Sequence, residues 1–160
     1  MHGRFFICGV GLALLALAGC QVPEESETRP TGRNVLDART LRQAKSGEVD
    51  FTTHIKPVLE AKCAACHNQE ALPGRMSLAS QEEARRSGAL RGFIIPGQPE
   101  ASPLLSRLTS AHAQVQAMPP VGESLTEDEV ALIKRWISQG APWPDGPAGE
   151  LKTSLSVQGD

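Results

Sequence analysis

The sequence predicts an all-α domain. Four segments carry apolar residues at helical spacing, and each follows a Ser or Thr placed to cap it. No stretch shows the apolar–polar alternation of a strand, and Pro-Gly pairs such as Pro73-Gly74 and Pro96-Gly97 punctuate the segments. A chain of 160 residues leaves room for one small core beside its tails.

In chain order, Thr53 opens the first helix, Pro57 falls in its first turn, and Ile55, Val58, Leu59 and Lys62 follow at helical spacing up to Cys63. Ser80 with Glu83 forms a capping box for a short helix that Gly88 ends. Ser102-Pro103 starts a third through Leu104, Leu105 and Leu108, with proline at its first position. The clearest helix opens on Thr126 and Glu129, buries Val130, Ile133, Trp136 and Ile137 along one face, and stops at Gly140. The packed domain is expected over residues 49–145, with 146–160 a frayed polar tail.

The N-terminus lies outside that domain. After Met1-His2-Gly3-Arg4, an apolar run from Phe5 to Ala18 is, at about 14 residues, too short for a membrane span and has the shape of a signal-peptide core. The following Leu17-Ala18-Gly19-Cys20 resembles the lipobox of bacterial lipoproteins, which makes residues 1–19 a signal peptide and Cys20 the lipidated first residue. The alternative is an ordinary signal peptide or an uncleaved anchor that contains a cysteine. A diacylated Cys20 would hold the protein on a bacterial membrane, facing the periplasm or the cell exterior, without crossing it. Residues 20–48, polar with Pro23, Pro30, Gly32 and Gly47, are expected to be a flexible tether, with a short helix of narrow apolar face near Asn34–Ala44.

The four cysteines leave no pair for a structural disulfide: Cys8 departs with the apolar run, Cys20 takes lipid, and Cys63 and Cys66 flank two alanines before His67. The run Cys63-Ala64-Ala65-Cys66-His67 is the attachment signature of a c-type haem, with both sulfurs forming thioethers and His67 reaching the iron. The competing readings are a disulfide, a thioredoxin-like pair, which needs a strand-rich domain, and a zinc site, which needs a fourth ligand. One covalent haem c is expected. For the sixth ligand, Met118 stands in a loop whose backbone Pro119 and Pro120 restrain, and His112 is its main competitor. Met76, nine residues after His67, would have to wrap the haem edge quickly, and His54 at the start of the first helix reads as a surface or helix-entry residue, not a ligand.

The order Asp50-Phe51, Ile55-Lys56-Pro57-Val58-Leu59, CAACH, Ile95-Pro96-Gly97-Gln98-Pro99-Glu100-Ala101-Ser102, Met118-Pro119-Pro120, Leu125-Thr126 and Ile133-Lys134-Arg135-Trp136-Ile137-Ser138-Gln139-Gly140-Ala141 resembles the planctomycete-type cytochrome c domain. That resemblance implies a small class I-like fold whose first and last helices cross beside the haem, with His67 proximal and Met118 distal. Gly74-Arg75-Met76-Ser77-Leu78 departs from it, since related domains carry a glycine-rich stretch leading to leucine and aspartate. Such domains also often sit in larger proteins.

The function expected is one-electron transfer with weakly docked redox partner proteins, rather than catalysis. A haem enzyme or gas sensor with a labile sixth ligand, and a haem-bearing subunit of a membrane redox complex, are the alternatives. A net charge of −2 gives no basic face for nucleic acid. Outside the apolar run the only aromatics are Phe51, Phe93, Trp136 and Trp143, a thin core that bound haem would complete.

Overall fold

In a computed structural model, residues 32–71, 73–110, 116–120 and 122–153 are described. They form five α-helices joined by turns and tight 3-10 or π segments, and among them no strand occurs. The elements are α1 (Ala38–Ser46), α2 (Lys56–Lys62), α3 (Gln81–Arg86), α4 (Pro103–Thr109) and α5 (Glu127–Ser138).

The caps largely follow the sequence. Thr126 and Glu129 make the reciprocal capping box of α5, the Ser80 hydroxyl accepts from the Glu83 N–H, and Pro103 occupies the first turn of α4. At the first expected helix the start differs. Asp50, not Thr53, is the cap: its carboxylate accepts the Thr53 N–H at 2.7 Å, and a π-helical turn Phe51–Ile55 precedes α2. The Asp50 N–H donates to His54 Nδ1 at 2.9 Å, so His54 is buried in locking this turn. An acid three residues ahead of a free N–H outcompetes a threonine whose hydroxyl lies inside the turn.

The core gathers Ile55, Val58 and Leu59 with Leu132, Ile133, Trp136 and Ile137 of α5. Phe51 and Trp143 stack with ring centroids 4.7 Å apart, and Trp136 lies 5.9 Å from each. Both indole N–H groups are satisfied by backbone, Trp136 on the Pro142 carbonyl and Trp143 on the Gly149 carbonyl, at 2.8 Å each. This network pins residues 142–149 to the core.

Packing reaches beyond 49–145 at both ends. Leu36, Leu41 and Ala44 are buried in the same core, and the Arg135 guanidinium closes the end of α1 by donating to the Ala44 and Gly47 carbonyls. At the other end Leu151 is buried and its N–H donates to the Ala79 carbonyl at 2.8 Å.

Candidate functional site

Where α2 ends, the chain winds through the cysteine run without losing its hydrogen bonds. The Cys63 and Ala64 N–H groups both donate to the Leu59 carbonyl at 2.9 and 2.8 Å, and the Cys66 and His67 N–H groups to the Cys63 carbonyl at 3.1 and 2.9 Å. Asn68 fastens the turn from below. Its Nδ2 donates to the Ala64 and Ala65 carbonyls at 3.1 Å each, and its Oδ1 accepts the Glu70 and Ala71 N–H groups at 2.8 Å each. Cys63 is half-buried, Cys66 exposed, and the two are not joined in a disulfide.

His67 is buried at 8% exposure, and its Nδ1 lies 3.2 Å from the Met76 carbonyl oxygen. A carbonyl can only accept, so Nδ1 carries the proton and Nε2 keeps its lone pair. Burial pushes the imidazole pKa down, and the Met76 carbonyl opposes that only in part, which favours the neutral ring a metal requires. The Leu78 N–H donates to the His67 carbonyl at 2.9 Å, and Gly74 at φ +64° turns the chain so that residues 76–78 return beneath the ring.

A cavity of about 530 Å³ opens over this turn, within the range of roughly 300–1,000 Å³ usual for small-molecule and cofactor sites. Cys63, Cys66 and His67 line it together with Met118 and an apolar wall that includes Leu78, Leu104 and Leu108. The Met118 N–H donates to the Arg107 carbonyl at 2.9 Å, which holds its backbone, and the Met118–Pro119 peptide is cis. Two thiols, a neutral imidazole and a thioether around one apolar cavity are a donor set that fits a haem held through both cysteines. Among the described residues no group of three or more His, Cys, Asp or Glu side chains is arranged to hold a metal ion directly, which leaves the zinc alternative without a ligand set there.

Cys63, Cys66, His67 and Met118 are thus brought together, and Met76 joins them through its carbonyl. His54 stays outside the cavity lining, and Cys20 and His112 lie outside the described residues. Asn68, Arg107, Lys62 and the Met76 carbonyl also belong to the site, and no motif in the sequence marks them. The Lys62 side chain, 8% exposed, reaches Glu123 at 3.3 Å on the cavity wall. The Arg33 N–H, and Lys62 after it, hold the Glu123 carboxyl below its ordinary pKa. Arg107 lies over the Phe93 ring, 5.2 Å from its centroid.

Residues 63–122 match the family model for planctomycete cytochrome C, a span that holds the cysteine run, the histidine and Met118. The chain is also 31% identical over 158 aligned residues to hydrazine synthase subunit alpha of Kuenenia stuttgartiensis, an alignment covering 81% of the chain. It spans 20% of that relative's length. No solved structure matches.

Proposed function

We propose that this chain, whose residues 63–122 match the planctomycete cytochrome C family model, is a monohaem electron carrier in which Cys63 and Cys66 hold one haem c and His67 and Met118 ligate its iron. The observation that carries this reading is that all four residues line one apolar cavity. When bound, the haem supplies a one-electron Fe(III)/Fe(II) couple. The protein's part is positional. Cys63 and Cys66 fix the cofactor to the end of α2, the Met76 carbonyl orients His67 through Nδ1, and the Arg107 carbonyl holds the Met118 backbone. Leu78, Leu104 and Leu108 exclude water. Thioether ligation in an apolar site suits electron transfer, since it closes the iron to substrates.

On this reading Cys20 carries lipid, the domain faces the periplasm or cell exterior, and redox partner proteins dock weakly beside the opening of the cavity. Among the described residues no helix is long and apolar enough to cross a membrane. Replacing Cys20 by Ser is expected to release the protein from the membrane fraction; retention there would rule out lipid as its anchor.

The absorption spectrum of the oxidised holoprotein tests the ligation. A weak band at the red end, arising from sulfur on iron, is expected in the wild type and absent in Met118→Ala. Ready carbon monoxide binding by the reduced wild type would instead favour an open sixth site. A second reading follows from the hydrazine synthase relative, whose name makes it an enzyme subunit: the domain would relay electrons inside a larger complex. Co-purification of stoichiometric partners from detergent-solubilised membranes would favour that reading over a free shuttle.

A further inference from the structure

We infer that Arg107 binds a haem propionate and so helps set the reduction potential. The inference rests on the haem reading above and concerns how the cavity receives the charged side of its cofactor. A haem has two carboxylates, and an apolar cavity penalises a carboxylate unless a cation or several donors meet it. The cavity wall offers two permanent cations, Lys62 and Arg107. Lys62 is already compensated: its Nζ lies 3.3 Å from Glu123, whose carboxylate also accepts the Arg33 N–H at 3.1 Å.

Arg107 is different. It is half-buried in the last turn of α4, and among the described residues no carboxylate pairs with it. Its side-chain contact is with Phe93, through the guanidinium carbon at 5.2 Å from the ring centroid. That contact uses none of the five in-plane N–H donors, which form the fork that matches a carboxylate in bidentate fashion. Phe93 also lines the cavity, so the ring holds the guanidinium against the cofactor space. The Arg107 carbonyl accepts the Met118 N–H, tying the segment that carries the proposed sulfur ligand to the helix that carries this cation. A positive charge there favours the reduced iron, which carries one charge fewer.

The test uses the full-length holoprotein and three variants: Arg107→Gln, Arg107→Lys and Phe93→Leu. Two readouts are taken, the midpoint potential and the redox-difference infrared bands of the propionate carboxylates. Arg107→Gln is expected to lower the potential and displace a carboxylate band. Arg107→Lys, which keeps the charge but not the fork, should displace the band while holding the potential near the wild type. Phe93→Leu, which keeps the guanidinium, should leave the potential nearer the wild type than Arg107→Gln does. An unmoved carboxylate band in both arginine variants would overturn the inference, as would a Phe93→Leu potential equal to that of Arg107→Gln, the signature of a packing role. Should Arg107→Gln accumulate without haem, the band position in Arg107→Lys decides alone. Wild-type protein purified without covalent haem would instead fail the underlying haem reading.

Discussion

Met76 and Met118 line the same cavity, yet they enter the site through different atoms. Met76 contributes its carbonyl, which accepts from His67 Nδ1; Met118 offers its thioether from a backbone pinned on Arg107. The two substitutions should therefore separate. Met76→Leu keeps the backbone carbonyl and is expected to retain the red-end sulfur band, whereas Met118→Leu should abolish it. Asn68 gives a second prediction at this scale. Its side chain makes four hydrogen bonds around the cysteine turn, so Asn68→Ala should cost about 1–3 kcal/mol, read as a lowered thermal midpoint. The cysteines, His67 and Met118 were legible in the sequence because a haem signature and a Met-Pro-Pro loop have fixed local spacing. Arg107 and the Met76 carbonyl were not, because their roles depend on where the chain returns in space; Asn68, whose partners all lie within four residues, is a local turn residue that the haem signature does not mark.

Helix α5 and the approach to α1 meet through Glu129. This fully buried carboxylate accepts the Thr126 N–H at 2.9 Å as the returning half of the capping box, and the Val35 N–H at 2.7 Å from the segment leading into α1. Glu129→Ala strands both donors and should destabilise the fold by about 2–4 kcal/mol in urea unfolding, more than an exposed cap would. Asp37 caps α1, and hydrogen bonds from the Thr40 N–H first, then the Thr40 hydroxyl and the Arg39 N–H, hold its carboxyl below the ordinary value. A lowered folded-state pKa means this contribution is complete above the carboxylate's unfolded pKa and fades as pH falls through the folded one. Between pH 5 and 3 the wild type should therefore lose more of its thermal midpoint than Asp37→Asn does. The sequence exposed the α5 capping box in full, since both partners sit three residues apart. It hid the second use of Glu129, whose partner is 94 positions away.

At the scale of the molecule, the packed unit runs from Leu36 to Leu151, wider than the 49–145 read from the sequence. The reason is the sparseness of the added contacts: Leu41 and Ala44 make a narrow face on α1, and Leu151 stands alone in a polar stretch, so neither pattern marks a core. Helices, their order and the all-α class were legible from caps and periodicity; the extent of packing was not. The core itself is built of aliphatic side chains around one three-ring cluster, and it borders the cavity. On the proposed reading, a bound haem would add apolar mass to this core. The double variant Cys63→Ala, Cys66→Ala is expected to give a shallow, poorly cooperative melt by circular dichroism, against a sharp one for the holoprotein. All of this turns on one covalent attachment, and the intact mass under denaturing conditions tests it most directly. The polypeptide plus the mass of one haem is expected, with that increment absent from the double-cysteine variant; a wild-type mass without it, or an increment that survives loss of both cysteines, would contradict attachment through Cys63 and Cys66.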